Sequence, residues 1–308
     1  MKKQFSVFST ILLALVIVAC GSNPYSKTNK VHKKQAKLYA KQFRTFPPEQ
    51  GKDEEGLDYG EHWVGTTNFN LRKPNYVIIH HTAQNSVDHT LKTFTLKRTS
   101  VSSHYVIGED GKIYQMLNDY YRGWHAGAGK WGNDSDLNSS SIGIELDNNG
   151  YEPFSEKQIE SLLQLLGVLK ERHGIPARNF IGHSDIAPSR KVDPNANFPW
   201  ERLAENGFGL WYDNIEAAPK VVGDSLVPSK GVREVVVTEN EILEDGNPTD
   251  TISLTINPKL ALRIIGYDVS NMDAAIRAFK LHFIQEDVSS KLTDEDLKIL
   301  YNLYQKYL

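Results

Sequence analysis

The stretch Tyr76-Val77-Ile78-Ile79-His80 is apolar and rich in β-branched residues until it ends on an imidazole, and Pro74 stands just before it. A short apolar run set off by a breaker reads as a buried β-strand. A second strand pair is expected at Ser103-His104-Tyr105-Val106-Ile107 and Lys112-Ile113-Tyr114-Gln115-Met116, with Gly108 to Gly111 as the turn. A further strand, Ser141-Ile142-Gly143-Ile144-Glu145-Leu146, places apolar residues at alternate positions. A helix follows. Ser155 and Gln158 form the pattern of a capping box, Ile159, Leu162, Leu163, Leu166 and Leu169 mark one face, and Gly174 and Pro176 close it. Strands interleaved with helices at these spacings predict an α/β domain over residues 70–212.

Outward from this domain the patterning changes. Residues 213–256 are rich in Gly, Pro, Asp and Asn and read as an irregular connection. After Pro258 helical periodicity returns at Leu260 to Ile265, at Asp273 to Phe283, and in a last segment capped by Thr293 with Leu297, Leu300, Tyr301, Tyr304 and Leu308 on one side. Residues 257–308 are therefore expected to form a small three-helix domain.

At the other end, Lys2 and Lys3 precede an apolar centre from Ile11 to Val18, with Ala19 beside Cys20, the only cysteine of the chain. This is secretory leader design, too short to span a bilayer as a folded helix. The ending resembles the lipobox of bacterial lipoproteins, which implies that residues 1–19 are removed and that Cys20 is acylated. Gly21, rather than an aspartate, then implies an outer-membrane anchor facing the periplasm. No thiol remains for a disulfide, so the core must suffice. From Gly21 to about Asn70 the chain is polar, with Lys27, Lys30, Lys33, Lys34, Lys37, Lys41 and Arg44 ahead of Asp53-Glu54-Glu55. We read residues 20–69 as a flexible lipidated tether, whose cations could attract anionic headgroups. Hydrophobic residues make up 40% and the formal net charge is −3, an ordinary soluble composition that gives no sign of a nucleic-acid binder.

The chemistry concentrates in three segments: His80-His81-Thr82-Ala83, Ile142-Gly143-Ile144-Glu145, and Gly182-His183-Ser184-Asp185-Ile186-Ala187-Pro188 with Lys191 and Asp193-Pro194. A catalytic zinc takes three protein ligands and keeps a fourth position for water. His80, His183 and Asp193 would supply two neutral nitrogens and one charged oxygen, with Asp185 the competing carboxylate and otherwise an organiser of its loop. Strand alternation sends His80 and His81 to opposite faces, and His80 is the one assigned. Lys191, two residues from Asp193 in an extended segment, would face the same cavity and could stabilise an oxyanion. Glu145 is the candidate general base. His104 and His173 are expected to be structural.

Together these segments, with Phe198-Pro199-Trp200, resemble the type 2 N-acetylmuramoyl-L-alanine amidases, zinc enzymes related to phage lysozyme-amidases and peptidoglycan recognition proteins. The resemblance covers about residues 70–212 and implies a mixed central β-sheet flanked by helices. It also implies Zn2+ on His80, His183 and Asp193, Lys191 as oxyanion stabiliser and Glu145 as the catalytic glutamate. Some relatives place a catalytic tyrosine just before the second-strand histidine; here that position is Ser103. Trp124-His125-Ala126-Gly127 resembles a segment beside the family's groove, which makes His125 and Trp124 expected substrate contacts. The expected substrate is the amide between N-acetylmuramic acid, in its ordinary or 1,6-anhydro form, and L-alanine in peptidoglycan or muropeptides. The competing reading is a peptidoglycan-binding lipoprotein that does not cleave. Residues 264–268, 275–279 and 282–283 resemble peptidoglycan-binding domains, with Lys280 and Ile284 in place of the usual glutamine and arginine.

Overall fold

The computed structural model describes residues 23–45, 73–213, 220–221, 235–238 and 253–308. The chain divides into two compact units, Met1–Phe69 and Asn70–Leu308. Cys20 and the leader lie outside the described residues.

In the first unit, α1 runs from Ser26 to Thr45. This corrects the expectation of a flexible tether for that stretch. No glycine or proline occurs between Tyr25 and Phe46, and Lys, Gln, Ala and Leu are good helix formers. At 3.6 residues per turn, Lys30, Lys33, Lys34, Lys37, Lys41 and Arg44 share one face, and all are exposed.

The second unit is built on β1 (Tyr76–His81), α2 (Val87–Thr95), β2 (Tyr105–Ile107), β3 (Ile113–Gln115), α3 (Leu137–Ser140), β4 (Ser141–Leu146), α4 (Glu156–His173), β5 (Phe180–Gly182), α5 (His183–Ile186) and α6 (Trp200–Glu205). The strands form a five-stranded sheet in the order β3-β2-β4-β1-β5. β1 is central, parallel to β4 and β5, while β3 folds back antiparallel on β2. Val77 and Ile79 pack with α4 on one face; Ile78 enters a second core on the other. Both faces are covered, which is why β1 is apolar without alternation.

The register sets the site. His80 lies opposite Glu145 and Ile79 opposite Gly182, so the carboxyl ends of three neighbouring strands deliver His80, Glu145 and His183 to one edge. Ligand sites of parallel sheets belong at such strand ends.

In α4 the cap forms only half of the expected box. Ser155 Oγ accepts from Gln158 N at 3.2 Å, but the Gln158 amide donates to the carbonyls of Ile107 and Asp147 at 2.9 and 3.0 Å. Those carbonyls end β2 and follow β4, and burial makes satisfying them worth more than completing the box. The helix stops at Gly174, whose φ of +64° is the left-handed conformation that glycine adopts without strain.

Residues 213–256, read as irregular, hold β6 (Lys220–Val221), β7 (Val235–Thr238) and β8 (Ser253–Ile256), an antiparallel sheet in that order. The strands are short β-branched runs among turn residues, too brief to announce themselves by period. Then come α7 (Pro258–Ile265), α8 (Met272–Phe283) and α9 (Asp294–Tyr307). The three helices are as expected, but their core is not their own. Ala261, Leu262, Ile265, Phe279, Phe283 and Leu300 belong to the same cluster as Ile78, Trp131, Leu137, Ile181 and Ile186 of the sheet side. Within these helices the buried Lys280 ammonium bonds the carboxylates of Asp287 and Asp296, which offsets the burial of its charge.

Candidate active site

His80, at the end of β1, and His183, at the start of α5, turn Nδ1 toward each other at 2.9 Å. Asp193 Oδ2 completes a triangle, 3.2 Å from His80 Nδ1 and 3.0 Å from His183 Nδ1. All three side chains are buried. Among the described residues this is the one group of three or more His, Cys, Asp or Glu side chains able to hold a metal ion.

The far nitrogens decide whether the near ones can serve as ligands. His183 Nε2 faces the Ala126 carbonyl at 3.2 Å, an acceptor only, so Nε2 carries the proton and Nδ1 keeps its lone pair. His80 Nε2 donates to His125 Nδ1 at 3.1 Å, and His125 Nε2 faces Ser141 Oγ at 3.4 Å, whose hydroxyl passes on to the Leu137 carbonyl. Every proton along this chain has a place that leaves His80 Nδ1 free. The donor set therefore fits a divalent cation.

Electrostatics agree with that assignment. Burial and the neighbouring His183 lower the His80 pKa to about 4, so its imidazole is neutral. Burial pushes the Asp193 carboxyl up, but the bonds and charges of His183 and His80 overcome it and hold the group well below the usual range. Glu145 is driven the other way: burial first, then the Asp193 charge, raises it well above an ordinary glutamate, against the pull of Lys191. A carboxyl with raised proton affinity beside a site for water is suited to general base work.

Through His183 the triangle borders a groove of about 330 Å³ whose wall also includes Trp124, His125, Arg190 and Lys191. Of the site residues read from the sequence, His80, His183 and Asp193 form the triangle, Glu145 lies opposite His80 on the next strand, and Trp124, His125 and Lys191 line the groove with His183; Cys20 lies outside the described residues. His125 differs in kind from the expectation. It lines the groove, yet it is buried and holds His80 from behind, with its backbone N–H and that of Ala126 donating to Asn138 Oδ1 at 3.0 and 2.9 Å. Trp124 is half exposed on the rim. Asp185 is not a ligand: Gly182 N–H, His282 and Tyr267 occupy its oxygens. His81 accepts from Asn195 N–H at 3.1 Å, away from the triangle. His104 ties β2 to β4 by accepting from Gly143 N–H, and Ser103 donates to the Gly143 carbonyl. Both are structural.

Sequence reasoning missed Arg190 and Asn138. Arg190 donates to the carbonyls of Ala126 and Ala128 at 2.8 and 3.1 Å and makes the groove wall basic beside Lys191. Its adjacency to Lys191 was the available signal. For Asn138 no local signal exists, since its partners lie 12 and 13 residues away across a loop.

A buried carboxylate with raised proton affinity, a cation at the groove and a buried donor triangle at the strand ends are the working parts of an amide hydrolase. Comparison with known proteins gives the branch: residues 70–196 match the family described as N-acetylmuramoyl-L-alanine amidase. Over 253 residues, 75% of this chain and 82% of the relative, it is 32% identical to the N-acetylmuramoyl-L-alanine amidase AmiD of Escherichia coli (strain K12). The chain belongs to the N-acetylmuramoyl-L-alanine amidase family.

Solved structures agree. The complex of AmiD from E. coli with the substrate anhydro-N-acetylmuramic acid-L-Ala-D-gamma-Glu-L-Lys is 27% identical, covers 84% of this chain and 99% of that one, and has a TM-score of 0.60. AMPDH3 from Pseudomonas aeruginosa, in complex with anhydromuramic pentapeptide, is also 27% identical, covers 82% and 98%, and has a TM-score of 0.59.

Proposed function

We propose that this amidase is zinc-dependent and hydrolyses the amide between the lactyl group of N-acetylmuramic acid and L-alanine, in muropeptides that include the 1,6-anhydro form. The observation that carries the reading is the triangle of His80 Nδ1, His183 Nδ1 and Asp193 Oδ2, with sides of 2.9 to 3.2 Å. The anhydro-muramyl ligands bound by the two structural relatives support the substrate class.

When bound, zinc would supply Lewis acidity at this corner, lowering the pKa of a coordinated water toward about 7. The protein's own groups do the rest. Glu145 takes the proton of the attacking water and delivers it to the leaving nitrogen. Lys191, half-buried on the groove wall, sets its ammonium against the oxyanion that develops on the carbonyl. Arg190 and Lys191 give the groove a positive wall suited to the carboxylates of a stem peptide.

The leader and Cys20 support a lipid-anchored protein of the outer membrane facing the periplasm. The one-sided cations of α1 suit contact with anionic headgroups, each worth about 1 kcal/mol near the surface.

The test is product analysis on anhydro-muropeptides and purified sacculi, with and without chelator. Free stem peptides beginning at L-alanine should appear only in the metal-replete reaction. Intact stem peptides under both conditions would defeat the hydrolase reading and leave a binding lipoprotein.

A further inference from the structure

The buried carboxylate of Asp185 lies two residues after His183, and it is fully enclosed. Its Oδ2 accepts from the Gly182 N–H at 2.7 Å, and Gly182 is the last residue before the ligand. The other donors come from far along the chain. Tyr267, just after α7, donates its hydroxyl to Oδ1 at 2.8 Å, and His282, near the end of α8, donates Nδ1 to Oδ2 at 2.7 Å. The neighbouring Ser184 N–H donates to the Asp193 carbonyl at 2.8 Å, which ties the same turn to the third ligand.

From this we infer that Tyr267 and His282 are positioning residues for the metal site: the C-terminal helices grip Asp185 and thereby hold the turn that presents His183. The inference rests on the zinc reading above.

Simple adhesion between the helices and the sheet does not account for the arrangement. Gln285 Nε2 donates to the Phe198 carbonyl at 2.6 Å and Gly132 N–H to the Gly266 carbonyl at 2.8 Å, but the buried cluster shared by the two parts is apolar, and burying a carboxylate there costs several kcal/mol unless its bonds are well made. Apolar residues of the same volume would join the two parts at less cost. The polar clamp adds direction instead. His282 is locked in turn, stacked on Trp200 at 3.8 Å and on Phe283 at 4.0 Å, with interplanar angles of 16° and 17°. Its Nε2 is buried without a partner, a cost that the bond to Asp185 has to offset. Tyr267 is wedged edge-on against Trp131 and Phe279. Neither donor can relax toward Asp185 by side-chain rotation alone, so the position of the carboxylate follows the position of the helices.

Outer residues that orient metal ligands typically change metal affinity by about 10- to 100-fold when removed. The experiment measures zinc affinity by competition with a chromophoric chelator on the full chain, alongside thermal unfolding of the metal-free protein. Tyr267→Phe and His282→Leu should each weaken zinc by about tenfold or more. His282→Asn, whose amide nitrogen can stand in for Nδ1, should restore the affinity lost in His282→Leu. Leu303→Ala, a core truncation in α9 that removes no donor to Asp185, should lower the melting temperature and leave zinc affinity unchanged.

Equal zinc affinity in the wild type, Tyr267→Phe and His282→Leu overturns the inference. So does an affinity loss in Leu303→Ala that matches theirs, because general loosening would then suffice. A wild type that binds no zinc, in line with a His183→Ala control, removes the zinc reading itself and this inference with it.

Discussion

Glu145 occupies a position where a charge is costly, and under the proposed function that cost serves the reaction. It is buried on the strand next to His80, and both burial and the Asp193 charge raise its proton affinity. Glu145→Gln keeps the shape and removes the base, so turnover should fall by about 10²- to 10⁴-fold while zinc content stays near that of the wild type. Kinetics on an anhydro-muropeptide together with elemental analysis check it; loss of metal instead would make the carboxylate a ligand. Asp147, immediately beyond β4, carries a similar cost without that use. Burial and then Glu109 raise its pKa to about 6, and Oδ1 has no partner. An acid whose folded pKa lies above its unfolded value binds more protons when folded, so its protonated form favours the fold at low pH and that contribution is lost as pH rises through about 6. Asp147→Asn should therefore be near neutral in stability at pH 4 and should raise the melting temperature at pH 8, as read by thermal unfolding at the two values.

The elements were read best where one element decides its own state. β1 and β4 were legible from β-branched runs, and α4 from a cap, an apolar face and a glycine stop. The donors of the His-His-Asp triangle were legible because each ends a strand or sits in a motif of fixed spacing. Gly143 shows what the strand pattern hides. A Cβ there would come within 2.5 Å of the His125 ring, so the glycine in β4 admits the imidazole that holds His80. Gly143→Ala should displace His125, cost about 1–3 kcal/mol in stability and weaken zinc as well. Chemical denaturation and chelator competition measure the two effects. The helix α1 departs from the expected tether because its cations recur at spacings of three and four residues, those of a helix face, in a run without glycine or proline.

For the whole molecule, the shared core means that the C-terminal helices are a structural part of the enzyme. Deleting residues 257–308 would uncover Trp131, Leu137, Ile181 and Ile186, and the truncated chain should aggregate or melt far earlier than the full one. Sedimentation and thermal unfolding distinguish this from an independent domain, whose removal would leave the melting temperature unchanged. Metal should act on the same global equilibrium. Zinc at about 100 times its dissociation constant should stabilise by about 2.7 kcal/mol, and chelation should reverse it.

What the amino-acid sequence determined by itself is local: strand and helix periods, caps and stops, and the short motif that spaces His183, Lys191 and Asp193. Short-range geometry follows from neighbours along the chain, so it can be read there. What the tertiary structure decided is which aspartate joins the metal site, that His125 braces His80, and that Tyr267 and His282 reach Asp185. Those outcomes depend on contacts across 45 to 113 residues, set by how the sheet, its register and the C-terminal helices pack. Asp185 and Asp193 are both buried and offer the same chemistry to a metal; only the partners brought in from elsewhere distinguish them.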